Sequence, residues 1–585
     1  MRALGAGWVD RAALVLVVVA AMSLGFDRLE PSLGLTADLR LTNLGLVATL
    51  VVVAALLACG LMGRWPPLPR AIAWLTLAWV ACLVASAALA PIYQTQALAF
   101  VRDMVFGICF GWAVYAVGRS ASRATLIARA FAVCGMAVAA IALLEAANVR
   151  PVVEFVAGFR NQASFSVGDL PRVASTLPHP NITAMLLGLA LPLQLVWIVS
   201  SRHVWMRVAL ALGAAVELIA LVLTISRAGI LVTELVLLGM LAFGIWRRQS
   251  ALMLTSLVAA ISLPLLFGLA ALREPLMLLH LSSENDNAWY RADYSPPAAI
   301  SADPGGTASV PIRLQNTGDR TWNASGPHPF ALSYHLDDAS GQSVTYDGVR
   351  TPLPLDVAPG ASVDLEAQIA APTAQGTYVI EWDGVQEAVT WFSWAGTPVA
   401  RTYLSVNGPR VPAPLGAGSE IVVTPPPTAL PPPPPARLTL WRIALRMARN
   451  RPLLGVGPDN FRWVYGDFAG VMTWDTGSHA NSLYFEWLAD TGIVALGLFL
   501  WLSWRLLRLS FANLSPMSSA DWFWAWRLGL AASLAAWFLH GFFDYFYEPL
   551  PTNLAFWFVV GLVLAAAEAQ RRARWTVAEC VSPST

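Results

Sequence analysis

The chain has no lysine. All 37 of its basic residues are arginine, set against 36 acidic ones, and charged residues make up only 12% of the 585. A net charge of +1 offers no basic surface for nucleic acid. Cysteine is scarce too. Cys59, Cys82, Cys109 and Cys134 lie in apolar runs and Cys580 in the tail, with no CxxC, so neither a disulfide framework nor a cysteine zinc site is indicated. The seven histidines supply no HxH or HExxH, and no Asp-x-Asp occurs, so no metal or cofactor is expected.

What abounds is apolar: 57% of the residues are hydrophobic. Repeated apolar runs of roughly twenty residues, enough to cross a hydrocarbon core of about 30 Å, predict a polytopic α-helical membrane protein. About twelve spans are expected, near 12–26, 42–62, 69–90, 97–118, 124–147, 182–200, 204–224, 228–246, 250–272, 482–504, 524–547 and 551–570. The first run lacks a small-residue cleavage site and reads as a retained span. Arg2, Arg11, Arg64, Arg70, Arg119, Arg123, Arg129, Arg202, Arg207, Arg247, Arg248, Arg505, Arg508, Arg571, Arg572 and Arg574 all fall in turns on one side of that arrangement. The positive-inside rule then places both termini in the cytoplasm. The opposite face collects the loop 148–181, the turn around Arg227, the region 273–481 and the turn around Glu548.

Between Pro296 and Gly408 the pattern changes. VPIRLQN, FALSYHL, SVDLEAQI and GTYVIEWD alternate like half-buried strands between turn-rich pieces, which predicts an extracytoplasmic all-β sandwich of about 110 residues. NTGDRTW, LSYHL, RTPLPLDVAPG and VQEAVTWF resemble tryptophan-rich Ig-like domains, a likeness that bears on fold rather than function. Pro431 to Pro435 then predict a stiff polyproline spacer that holds the sandwich off the membrane part. The expected divisions are membrane helices 1–9 over 1–272, a connector over 273–295, the sandwich over 296–408, a proline-rich linker over 409–436, a loop with an amphipathic helix over 437–481, helices 10–12 over 482–572 and a cytoplasmic tail over 573–585.

The residues with chemistry gather on the outer face. Read as a helix, the segment after the prolines puts Arg442, Arg446 and Arg449 on one side, with Leu440, Ala444, Met447 and Ala448 opposite. The stripe reads first as an interfacial helix touching lipid phosphates, and Arg442 and Arg446 are also candidate substrate ligands. Arg437 falls on the apolar side, where an arginine needs an anionic partner unless it splays to water from the first turn. Arg227 in LTISRAGIL sits on the face that topological anchoring does not call for, which makes it a candidate anion ligand. Arg172 in DLPRVASTLPHPN is similarly placed, and Asn181 there can cap the sixth span. His479 precedes Asn481 at a helix start, with Glu486 and Asp490 following on nearly one face. His540 and Asp544 stand one turn apart and form a bracing pair or part of a site. Glu217 and Glu234, within spans, keep a transporter or flippase in view.

RVASTLPHPN, LTISRAGIL, ARLTLWRIALRMARNRPLLGVGPDNF and SHANSLYFEWLADTGI, in this order, resemble the O-antigen ligase/polymerase superfamily of bacterial membrane glycosyltransferases. The likeness covers nearly all of the membrane part. It implies that Arg227 and Arg437 bind the pyrophosphate of an undecaprenyl-linked glycan and that His479 is the base. Arg172, Asn181, Asn481, Arg442, Arg446, His540 and Asp544 are the expected substrate-binding residues. Many members have adjacent His-Asn, and here Ala480 separates the two. The expected activity is an inverting, metal-independent transfer of a preassembled glycan to a glycan, lipid or protein acceptor at the outer face of the inner membrane. A chain polymerase and a protein oligosaccharyltransferase are the alternatives within the superfamily.

Overall fold

The computed structural model describes residues 2–26, 33–35, 39–41, 43–63, 65–159, 165–283, 285–406, 435–512, 514, 522–547 and 550–581. The first nine long apolar segments give α1 (Arg2–Ser23), α2 (Asn43–Met62), α3 (Arg70–Ala88), α4 (Gln94–Val117), α5 (Ala121–Ala146), the short α6 (Arg150–Ala157), α7 (Pro180–Ser200), α8 (Val204–Leu223), α9 (Arg227–Trp246) and α10 (Ser250–Arg273). Then come α11 (Leu276–Ser282), a β-rich region, α12 (Arg437–Asn450), α13 (Phe461–Ala469), α14 (Leu483–Phe511), α15 (Phe523–His540) and α16 (Leu550–Val581). Local chemistry sets several starts. Ser120 accepts the Arg123 N–H at α5 and Ser226 the Gly229 N–H at α9, while Pro180 opens α7, where its missing N–H costs nothing.

Among the described residues, ten helices are long and apolar enough to cross a bilayer: α2–α5, α7–α10, α14 and α16. The expected span 12–26 corresponds to α1, whose apolar run follows Asp10 and Arg11, and 524–547 to α15, which carries Arg527 and His540 within its 18 residues and is too polar to meet that description. Both pack into the bundle all the same. Arg527 is buried and donates to the Ala512 carbonyl at 2.8 Å. α7 is buried along nearly its whole length, at the centre of the bundle, whereas α10 turns Leu254, Val258, Ile261 and Leu265 outward.

α14 is a broken helix. Gly492 sits at φ 73° and ψ 179°, outside the helical region. The carbonyls of Ala489 and Asp490 accept instead from Val456 and Gly457, and Ile493 N–H donates to Pro452. A loop over 452–457 is thus stitched into the break. A Cβ on Gly492 would stand 2.3 Å from the Leu453 carbonyl group, and one on Gly455 2.3 Å from that of Asp490, so both glycines are demanded by close backbone approach.

The β-rich region forms two sheets. In one, Ser362–Ala370, Thr307–Asn316 and Ala292–Ser295 lie side by side, all antiparallel. In the other, the order is Thr351–Pro352, Phe330–Asp338, Gly376–Gln386, Ala400–Val406 and Ala299–Ala302, with Ser343–Thr345 and Thr390–Trp391 attached at the side. Alternation is strict where one face is covered. Val310, Ile312 and Leu314 are buried against Val363, Leu365 and Ile369, and Trp382 pairs in register with Tyr334 on the other sheet. Strands begin at Ala292, ahead of the expected boundary at 296, because the 3₁₀ turn Asp286–Tyr290 buries Trp289 and Tyr290 in the same core. Pro431–Pro434 lie outside the described residues. The expectation that this region stands off from the membrane part is overturned by a direct contact. Arg320, only 6% exposed at its side chain, pairs with Asp169 at 2.8 Å in the loop before α7.

Candidate active site

Three arginines from distant parts of the chain converge at one end of the bundle. Arg172 closes the hairpin Phe165–Arg172; its Nε donates to the Thr224 carbonyl at 2.8 Å and its Nη2 to Asn181 Oδ1 at 2.7 Å. Arg227 opens α9, and its Nη1 donates to the carbonyls of His280 and Ser283 at 2.8 and 2.7 Å. Arg437 opens α12 with Nη2 3.7 Å from Asp544 Oδ1. Asp544 also accepts from Asn181 Nδ2 at 3.2 Å and stands 3.3 Å from His540 Nε2. Asp544 thus serves as the shared anion of the cluster. Burial would raise its pKa, but His540, Arg437 and His179 outweigh that and hold it below the ordinary carboxylate value.

The cations suffer the reverse. Arg172 is pushed down to about 10 by burial; Asp286 and Asp544 oppose this, and the charges of Arg227 and Arg437 add smaller downward pushes. At neutral pH it remains charged. His179, the N-cap of α7, accepts the Asn181 N–H through Nδ1 at 3.1 Å. Burial and the nearby Arg172 push its pKa down to about 4, so it is neutral, with its proton on Nε2. Three guanidiniums against two carboxylates, Asp286 and Asp544, leave a surplus positive charge that favours a further anion.

Next to this cluster lies a histidine–carboxylate pair. His479 Nδ1 is hydrogen-bonded to Glu486 Oε1, and Glu486 Oε2 accepts the Ala480 N–H at 2.8 Å. Glu486 is fully buried. Its position in the first turn of α14 lets it reach back over the chain entering the helix. The ring of Tyr545 lies 4.7 Å from that of His479, and Tyr545 follows Asp544 directly, so one dipeptide links the pair to the arginines. The Asp544 and Gly541 carbonyls both receive the Leu483 N–H. Trp441, one turn after Arg437, donates to the Ala480 carbonyl at 3.0 Å and stacks on Phe485.

His479 and Glu486 also come together with Asp459, their ligand atoms within 4.8 Å of one another, a spacing that could hold a metal ion. The hydrogen bonds already present argue for a different use. Both Glu486 oxygens are engaged, and Asp459 Oδ2 accepts from Arg462 at 2.7 Å. Asp490 receives the N–H groups of Asp459 and Phe461 and so shapes that loop.

Of the residues expected at a site, the fold brings together Arg172, Arg227, Arg437, Asn181, His540 and Asp544, with His479 alongside. Asn481 takes a left-handed backbone, φ 50°, which turns the chain into α14. Arg442 and Arg446 are not brought to the cluster: both lie on the exposed face of α12, opposite buried Leu440, Ala444 and Met447, and Arg446 Nη1 donates to the Phe468 carbonyl at 3.2 Å. Helical phase turns them away from the cluster. Sequence reasoning assigned no role to Glu486, His179, Asp459 or Tyr545. The one available signal was the acidic residue in the first turn of α14.

Fold and site together define a polytopic helical membrane protein with an anion-receptive cluster at one end of its bundle. Residues 434–500 match the family model described as O-antigen ligase. The matched stretch holds Arg437, His479, Glu486 and Gly492. No curated protein matches the chain.

Proposed function

We propose that the protein transfers a preassembled glycan from an undecaprenyl-diphosphate-type lipid to an acceptor hydroxyl. The observation that carries this reading is the meeting of Arg172, Arg227 and Arg437 beside the His479–Glu486 pair. An acceptor oxygen attacks the anomeric carbon, the bond from that carbon to the diphosphate oxygen breaks, and the lipid diphosphate departs with the electron pair. The leaving group gains negative charge, which guanidinium forks stabilise through paired hydrogen bonds to phosphate oxygens. The acceptor proton passes to His479. With Nδ1–H held by Glu486, its Nε2 is the nitrogen that takes the acceptor proton, whereas Nε2 of His179 already carries one. A single displacement inverts the anomeric centre. Arginines supply the positive charge that a divalent cation would otherwise provide.

In this reading the site faces outward from the cytoplasmic membrane, both termini are cytoplasmic, and the β-rich region is an Ig-like extracytoplasmic domain that presents or recruits substrate. Its contact with the hairpin that carries Arg172 supports such a role. Arg227→Ala, Arg437→Ala and His479→Ala, each followed by the level of lipid-linked glycan in cells, test the proposal. Accumulation of donor is expected in all three. Unchanged transfer by normally expressed His479→Ala would remove the base, and unchanged transfer in all three would end the reading. Purified protein given defined acceptors separates a ligase from a chain polymerase.

A further inference from the structure

The end of the bundle away from the arginine cluster holds a polar cavity of about 450 Å³, whose lining includes Asp10, Trp65, Arg119, Ser120, Arg123 and Arg572. It lies where α2 ends at Met62, α4 ends at Val117 and α5 begins at Ala121, the level at which these spans leave hydrocarbon. α5 separates it from the active site. Glu145, at the far end of that helix, accepts the Ser175 N–H from the loop that carries Arg172, and 26 residues at 1.5 Å each span roughly 39 Å.

The cavity carries surplus positive charge. Asp10 is committed to Arg123 through Nη1 at 3.0 Å and Nη2 at 2.5 Å, and Arg572 donates to Glu568 at 2.8 Å. Arg119 gives its Nε to the Ala116 carbonyl at 2.9 Å and has no carboxylate partner among the described residues. The N-terminus of α5 adds its own positive partial charge. Adjoining the cavity is an apolar groove of about 320 Å³ whose lining includes Ile72, Cys109, Leu506 and Leu564. The two adjoin: Pro67 lines one and Leu68 the other, and Trp65 of the cavity stacks on Trp112 of the groove at 6.0 Å. A cationic cavity at span-end level above an apolar groove, joined by tryptophans, has the form of an amphiphile.

We infer that this composite pocket binds an anionic phospholipid, with the phosphate held by Arg119 and Arg572 and an acyl chain in the groove. A zwitterionic headgroup would bring its own cation into a site already in surplus. The inference does not rest on the glycan-transfer reading. Native mass spectrometry of the full chain in detergent tests it with three probes: phosphatidylglycerol, phosphatidylcholine of the same chains, and inorganic phosphate. Phosphatidylglycerol is expected to bind at least about tenfold more tightly than phosphatidylcholine. The double variant Arg119→Gln/Arg572→Gln should lose that preference. Cys109→Trp, which fills the groove from its exposed side, should weaken both lipids equally, with thermal midpoints confirming that each variant is folded. Equal binding of the two lipids, or undiminished phosphatidylglycerol binding by the double variant, would overturn the inference. So would displacement of phosphatidylglycerol by inorganic phosphate at equal concentration, which would make the pocket a free-anion site.

Discussion

At the scale of single residues, the proposed transfer depends on which nitrogen of His479 keeps its proton. Glu486 settles this for His479 by holding Nδ1, and Glu486→Gln keeps the shape while making the Nδ1–H assignment optional. We expect turnover to fall at least about tenfold in this variant, against about 10²–10⁴-fold for His479→Ala, with donor KM little changed. A change confined to KM would show that Glu486 only shapes the binding surface. His179 provides a pH-dependent readout. Its pKa falls from 6.5 to about 4 on folding, so below pH 6.5 the unfolded chain takes up a proton that the folded one refuses. Stability is full near neutrality and declines as pH drops from about 6.5 towards 4; Asp544, with a depressed pKa, adds a further loss below the ordinary carboxylate range. His179→Asn preserves a good N-cap and should flatten the upper part of that decline in thermal unfolding followed against pH. An unaltered slope would rule His179 out as its source. Arg437 was legible because an arginine on an apolar helix face demands a partner. Which partner was not, since Asp544 lies more than a hundred residues away.

Among the elements, the broken α14 is what puts Glu486 where His479 can use it. The part before Gly492 carries the carboxylate, the part after it crosses the membrane, and the 452–457 loop holds the join. Gly492→Ala meets both an unfavourable φ and a backbone carbonyl 2.3 Å from the new Cβ. It should lower the thermal midpoint and abolish transfer together, because the loop cannot yield without releasing the Val456 and Gly457 hydrogen bonds. A fully active, equally stable variant would show that the join tolerates a different backbone. Hydropathy read this region as one span starting near 482, and could not do otherwise, because apolar residues continue through the break. The glycine-rich LLGVGPDN and the lone glycine of ADTGI gave a hint whose meaning emerges only when the two are seen stitched to each other. In α12, by contrast, the phase of buried Leu440, Ala444 and Met447 was legible from spacing alone, because a helix on a surface has only one inward face.

In the molecule as a whole, the two-part organisation was readable from composition: long apolar runs for the bundle, and short alternating ones for the β-rich region. Their docking was not, since it rests on Arg320 and Asp169, two ordinary loop residues with no local pattern. Arg320→Ala leaves Asp169 without its partner and exposes the face of Trp289 that the guanidinium covers at 5.4 Å. A loss on the order of 3 kcal/mol is expected at the junction, read as faster hydrogen exchange in residues 165–172 and 286–290 with the bundle unchanged. Uniform exchange rates would show the contact to be incidental.

The grip of Arg227 on the carbonyls of His280 and Ser283 fixes where this protein can be cut. Those carbonyls belong to the stalk that leads into the β-rich region, not to the bundle. An excision begun at the strands, after Ser283, leaves Arg227 with both of its acceptors. One begun at the end of α10 strips them away and frees the arginine to swing. A shortened chain of the second kind would lose activity even if the β-rich region had no part in the reaction, so any trial of that region's importance turns on a splice point only a few residues wide.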